Sequence, residues 1–292
     1  GLSSNEVNQP GSYQDVTDTT VVGQFKVLPN ELSKLEKAFN VNGLSGNSFF
    51  LAWTTTPWTL PSNTALTVGP KIEYVIVSTF NQYTFEPIQV VLAKNLVAKQ
   101  FAGKKFKAVA NKEELANYNS GDKEIPYMVL ASCKGTDLAE IKYEQLLKYA
   151  LPNDNPENAF RVILGDFVTT EDGTGIVHTA PTFGADDALV AKQAKPEVPP
   201  MLVKDENDNL VPLVDLQGRF RPEMGEFAGM YVKNEYYKEE DAPEKSVDVQ
   251  IAIKLKEENR AFKVEKYVHS YPHCWRTDKP ILYYPLDSWF IK

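Results

Sequence analysis

Over the first two-thirds of the chain, hydrophobic and polar positions alternate in short runs, the period of half-buried strands. Val21 to Val27, Phe49 to Trp53, Tyr74 to Phe80 and Ile88 to Leu92 are rich in β-branched and aromatic residues and predict strands. Val68-Gly69-Pro70-Lys71 and Ser120-Gly121-Asp122 are turn signals between such runs. Two more strands are expected at Phe160 to Val168 and Gly175 to Thr179. Helical spacing predicts Lys94 to Phe101, Lys112 to Tyr118, Asp137 to Tyr149 with Thr136 as N-cap, and Asp186 to Ala194. The run Ser246 to Arg260 fits both periods. Val247, Val249, Ile251, Ile253 and Leu255 alternate, yet Val247, Ile251 and Leu255 also share one helical face. Its length exceeds an average strand, which favours a helix capped by Ser246. Pro196 to Pro200 and Asn234 to Pro243 read as surface connections. Short strands at irregular spacing with few helices predict a β-rich α+β fold, a mixed or antiparallel β-barrel core with peripheral helices.

Composition narrows the function classes. The 292 residues, 42% of them hydrophobic, suffice for one large domain or two ordinary ones. Charged residues at 24% with Gly 16 and Pro 19 exclude a disordered or fibrous chain. Lys+Arg 31 against Asp+Glu 39 leaves a net charge of -8, which argues against coating long nucleic acid. A short nucleic-acid end is not excluded. Cys133 and Cys274 form no CxxC pair and no disulfide framework, which fits a reducing cytosol and a cytoplasmic protein. Three histidines and two cysteines leave little material for zinc, and Pro272 disfavours a helix presenting His269 and His273 to one metal. No metal is therefore expected. No apolar run approaches the ~18 residues of a membrane span. Gly1-Leu2-Ser3-Ser4-Asn5 lacks signal-peptide regions, and Trp289-Phe290-Ile291-Lys292 ends without a turn, so both ends are expected to be cuts in a longer protein.

Two segments carry candidate chemistry. Trp53-Thr54-Thr55-Thr56-Pro57-Trp58-Thr59-Leu60-Pro61-Ser62-Asn63 holds a dense row of hydroxyls whose methyls also act as walls. Its two prolines stop a strand and fix the path of the loop that follows. An isolated threonine triplet is more often an edge strand ending in a turn; four threonines, two tryptophans and an asparagine together shift that balance. The second segment is Asp172-Gly173-Thr174-Gly175-Ile176-Val177-His178-Thr179-Ala180-Pro181-Thr182-Phe183-Gly184-Ala185-Asp186-Asp187. Taken alone, the two aspartates could cap a helix and His178 could be a satisfied core residue. Gly173-Thr174-Gly175 is no phosphate loop, because no Gly-Lys-Ser/Thr follows. No nucleophile elbow accompanies the histidine.

Together the two segments resemble the signature stretches of the editing domain inserted into isoleucyl-tRNA synthetases of class I. Leucyl and valyl relatives typically carry Arg-Pro where Thr56-Pro57 stands, and usually lack a histidine at position 178. The closing segment, His273-Cys274-Trp275-Arg276 through Trp289-Phe290-Ile291, resembles the return toward the synthetase body. The resemblance covers nearly the whole chain: an editing core over 46–264, flanked by connecting segments at about 20–45 and 265–292. Many bacterial members have His-Gly where Phe183-Gly184 stands, so position 183 is not read as catalytic. The ATP signatures His-Ile-Gly-His and Lys-Met-Ser-Lys-Ser are absent, so amino-acid activation and an ATP cofactor are not expected.

The resemblance implies a second sieve. A hydrophobic pocket rejects a substrate one methylene smaller only weakly, and isoleucine selection is the standard illustration of that limit. Thr54, Thr55 and Thr56 are then implied to line the pocket and order water, and His178 to exclude the extra methyl of isoleucine. Asp187 would hold the substrate ammonium. Trp58, Asn63, Thr179, Ala180, Pro181 and Asp186 are implied beside the substrate, with Asn63 holding the loop or the terminal adenosine. The implied partners are the acceptor end of tRNA(Ile) carrying valine and the rest of the synthetase in cis, without membrane or DNA. Two further readings stay open: a non-catalytic module that binds the acceptor end, and a purely structural β-rich insertion.

Overall fold

The computed structural model describes residues 1–285, so the part of the closing segment from Trp289 to Ile291 lies outside the described residues. The strands are β1 (Tyr13–Lys26), β2 (Ser48–Thr54), β3 (Ala65–Val68), β4 (Glu73–Phe80), β5 (Pro87–Ala93), β6 (Phe106–Ala108), β7 (Ile125–Lys134), β8 (Arg161–Leu164), β9 (Ile176–Thr179), β10 (Leu202–Lys204), β11 (Leu210–Pro212) and β12 (Ala261–Pro272). Helices α1 (Ser4–Val7), α2 (Leu32–Phe39), α3 (Val97–Gln100), α4 (Lys112–Ala116), α5 (Gly135–Leu138), α6 (Ala185–Gln193) and α7 (Val247–Glu257) lie around them. The main sheet runs β6-β7-β4-β5-β2-β9-β3-β8, with β1 pairing both β2 and β12. This is the β-rich α+β architecture that the hydrophobic pattern predicts: a mixed sheet with peripheral helices.

The named strands pair along an open path and do not by themselves close a barrel. Segment 140–144 links β8 to the end of β1 instead. Glu140 N–H donates to Val162 O at 2.8 Å, Tyr143 N–H to Phe160 O at 3.0 Å, and Glu144 N–H to Lys26 O at 2.7 Å. The helix predicted over Asp137–Tyr149 is therefore only the single turn α5, with Thr136 inside it rather than capping it. The chain leaves that turn through Glu140 at φ +71°, and Ile141 and Tyr143 then bury as an extended segment. Leu138, Ile141, Leu146 and Leu147 look helical in spacing, but backbone pairing to two strands outcompetes the helix.

The centre of the sheet is covered on both faces, which explains the unbroken apolar run of β2. Phe49 and Leu51 pack with Val75, Val77, Leu92 and Phe262, while Phe50 and Ala52 join Phe25, Leu66, Ile76 and Val91 on the other side. The ambiguous run near the C-terminus is the helix α7. Ser246 caps it by accepting from Val249 N–H at 3.3 Å, and Val247, Ile251 and Leu255 are buried. Among the described residues, no helix is long and apolar enough to cross a membrane.

Candidate active site

The two signature segments meet because their strands run parallel. Trp53 of β2 is paired with Val177 of β9, so both strands deliver their C-terminal ends to one edge. β2 delivers Thr54 to Thr56 there, and β9 delivers His178 to Ala180. Gly175 makes the approach possible. Its φ is +76°, and a Cβ there would lie 2.4 Å from the Cβ of Ala93. On the other side β9 pairs antiparallel with β3, with His178 opposite Leu66. Beyond Thr56, Pro57 ends the strand and opens a 3-10 turn over Pro57–Ser62 that folds Thr59 back onto the histidine. Trp58 N–H donates to the buried carboxylate of Asp248 on α7 at 2.9 Å, which anchors that turn.

The cleft so formed encloses about 230 Å³ and is lined by Trp53, Thr54, Thr55, Thr56, Thr59, His178, Ala180, Phe183 and Asp187. Its hydroxyls are linked. Thr56 N–H donates to Thr54 Oγ1 at 3.0 Å, and Thr56 Oγ1 lies 3.3 Å from Thr54 Oγ1 and 3.4 Å from Thr59 Oγ1. His178 is 8% exposed, with Nε2 2.9 Å from Thr59 Oγ1 and Nδ1 2.9 Å from Asn63 Nδ2. Burial lowers its pKa to about 4, so the ring is neutral at physiological pH.

Asp187 lies in the first turn of α6, whose N-cap is Gly184. Its Oδ2 accepts from Ala180 N–H at 2.9 Å, which joins the helix start to the end of β9. Position 184 is tight, because a Cβ would sit 3.0 Å from both Cγ and Oδ2 of Asp187 and would press on that carboxylate. Burial pushes the Asp187 carboxyl up to about 6; the Ala180 N–H opposes the shift and the neighbouring Asp186 carboxylate adds to it. A partly desolvated carboxylate with an anion beside it favours a cationic ligand.

Of the residues implied by the resemblance, Thr54, Thr55, Thr56, His178, Ala180 and Asp187 share this cleft. The others do not line it. Asn63 is buried behind the imidazole, Thr179 points to β3 with its hydroxyl 2.7 Å from that of Thr67, Pro181 is buried, and Asp186 is exposed. Trp58 packs edge-on to Phe183 at 5.1 Å and lines a larger adjoining cavity of about 850 Å³ that shares Thr56, Thr59 and Phe183 with the cleft. Sequence reasoning did not single out Thr59, Trp53 or Phe183 as lining residues. Thr59 was visible as the fourth threonine of its segment, but its turn back toward His178 was not. Among the described residues, no group of three or more His, Cys, Asp or Glu is arranged to hold a metal.

No family model matches the chain. Its fold is similar to the GlLeuRS-CP1 crystal structure at a TM-score of 0.50 and 12% identity, covering 85% of this chain and 99% of that one. The chain thus has the fold of a synthetase CP1 domain. It is 58% identical over 302 residues to the isoleucine–tRNA ligase of Cytophaga hutchinsonii, covering 100% of this chain and 25% of that protein. For the isoleucine–tRNA ligase of Bacteroides fragilis the identity is 52% over 308 residues, again 100% and 25%. The chain spans about a quarter of the length of these curated relatives. It belongs to the isoleucine–tRNA ligase family, as a segment with the CP1 fold.

Proposed function

We propose that this chain proofreads isoleucine–tRNA ligase by hydrolysing the ester between valine and tRNA(Ile) while excluding isoleucine. The observation that carries the reading is the convergence of Thr54, Thr55, Thr56, His178 and Asp187 on one cleft of about 230 Å³. That volume is below the usual range for drug-sized ligands and suits a small aminoacyl group. In this reading Asp187 pairs with the α-ammonium, and the threonine hydroxyls hold water beside the ester. The water oxygen attacks the carbonyl carbon, the bond to the ribose oxygen breaks, and that oxygen leaves as the terminal hydroxyl of the tRNA. Valine departs as the free acid. An aminoacyl ester is already activated, so a positioned water with oriented donors suffices without a covalent nucleophile. Valyl-adenylate is a second substrate of the same chemistry.

Only the single-stranded acceptor end enters the cleft, held by a few contacts and stacking, which is compatible with a net charge of -8. The rest of the ligase, acting in the cytoplasm, supplies most of the tRNA affinity. No metal or ATP takes part in the step. Valine release from valyl-tRNA(Ile) tests the reading. The chain should release valine above the buffer rate. Release by the full-length ligase alone would make this segment a binding module, and release by neither would overturn the proposal. His178→Ala should open the sieve, so that correctly charged isoleucyl-tRNA(Ile) is also cleaved; continued protection of that ester removes His178 from selection.

A further inference from the structure

Behind the cleft wall, four buried side chains form one directional run. The Tyr143 hydroxyl donates to Asn63 Oδ1 at 2.5 Å. Asn63 Nδ2 donates to Ala65 O at 2.9 Å and faces His178 Nδ1 at 2.9 Å. His178 Nε2 faces Thr59 Oγ1 at 2.9 Å, and Thr59 Oγ1 donates to Thr56 O at 2.9 Å. The direction follows from one group in the run that can only accept. Ala65 O is a carbonyl and only accepts, so the asparagine must turn its NH2 toward it. That same NH2 cannot accept from the imidazole, so Nδ1 carries no proton. Thr59 directs its single hydroxyl proton to Thr56 O, and so receives at its own oxygen from the imidazole. The one proton of the neutral ring is therefore on Nε2.

We propose that Tyr143 is a positioning residue for the selectivity of this cleft: acting through Asn63, it holds His178 as the neutral Nε2–H tautomer with its ring fixed against the substrate. The role in selectivity rests on the editing reading; the tautomer does not. With Nδ1 bonded to Asn63 and Nε2 protonated, the imidazole has no free lone pair toward the cleft. It serves as a wall and as a donor to Thr59, not as the acceptor of a proton from water. Burial supports a single state, holding the His178 ring neutral and raising the Tyr143 hydroxyl well above its ordinary value. Asp187 is the other titratable group lining the cleft, and Arg161 is the charge that acts on Tyr143. Tyr143 lies 80 residues from Asn63 in the chain, in the segment that bridges β8 and β1, outside both signature stretches.

A core role alone would rest on the ring, which packs edge-on against Phe25 at 5.5 Å and Phe160 at 6.2 Å. Tyr143→Phe keeps that ring and removes only the hydroxyl. Two measurements test the proposal. The first is nitrogen NMR of the 15N-histidine-labelled chain, which has three histidines to assign. At pH 7 the unaltered chain should show His178 as Nε2–H alone; in Tyr143→Phe, where only the Ala65 carbonyl still orients the amide, a second tautomer should become detectable. The second is the ratio of valyl to isoleucyl ester hydrolysis, which should fall about tenfold in Tyr143→Phe, the effect of one lost hydrogen bond. The kcat on the valyl ester should change little. An Nδ1–H ring in the unaltered chain, or full discrimination in folded Tyr143→Phe, overturns the proposal. A Tyr143→Phe chain that no longer folds makes the hydroxyl structural and overturns the positioning role. The NMR readout needs no substrate, so the two ideas fail separately. The expected tautomer without valine release overturns the editing reading, and editing with the wrong tautomer overturns the relay.

Discussion

The β1–β12 ribbon and the buried centre around β2, β3 and β9 are both sheet, yet their polar groups obey different rules. In the ribbon, Tyr13 to Gly23 pairs with Pro272 to Ala261, and its outer residues meet solvent. Polar contacts there are local pairs between partly exposed groups, such as His269 Nε2 with Asp18 Oδ2 at 2.7 Å. Each can be lost without stranding a buried partner, because water replaces it. In the centre, His178 and Asn63 are enclosed, and each polar atom completes the bonding of the next. Removing one member there leaves an unsatisfied buried group, which costs more than the bond itself contributed. The ribbon can drift in composition; the centre cannot.

That contrast can be broken at several points. Leu66 is fully buried on β3 opposite His178, and Leu66→Ala should cost ~2–5 kcal/mol in urea unfolding. A cost below ~1 kcal/mol would mean the centre can collapse around the loss. Next in size, Asp187→Ala should lower kcat/KM for valyl-ester hydrolysis about 10²-fold, the effect of a lost charge-assisted contact. The fold should persist with a lower melting temperature, since removing the carboxylate leaves the buried Ala180 N–H without its acceptor. Normal turnover in that variant would end the ammonium assignment. The pH profile gives a smaller effect. Asp187 titrates near 6 in the free chain, and only its ionised form pairs with an ammonium, so kcat/KM should fall as pH drops through about 6, approaching tenfold per unit below it. A flat profile between pH 5 and 7 would contradict this. Smallest of all, Val268→Ala on the ribbon, 64% exposed, should change stability by less than about 0.5 kcal/mol in the same urea assay.

The same contrast explains what was legible in the residues. The buried strands announced themselves: Phe49 to Trp53, Tyr74 to Phe80 and Ile88 to Leu92 lie within β2, β4 and β5. β1 begins at Tyr13, eight residues before the predicted Val21, and β12 was not predicted. Their outer stretches mix polar residues with exposed apolar ones such as Tyr13, Tyr267 and Val268, so no hydrophobic alternation marks them. β3 escaped for the opposite reason. Its four residues are all buried and too few to show a period. β7 and α2 were also missed, and the predicted Phe160–Val168 strand shortens to Arg161–Leu164. The helix α7 was readable because Ser246 and the Val247–Ile251–Leu255 face agree.

The residues by themselves determined the family resemblance, the β-rich class and the candidate groups of the cleft, because these depend on residue type and short spacing. Tertiary structure alone decided how those groups meet. The parallel register of β2 and β9 brings Thr54 and His178 to one edge, and the turn after Pro57 aims Thr59 at the ring. It also took Tyr143 out of a predicted helix and set it behind Asn63. Local propensity favoured a helix there; pairing with two strands and a buried, fully bonded hydroxyl outweighed it. Contacts across such distances leave no periodic trace in the chain, since they form only when the sheet brings the segments together.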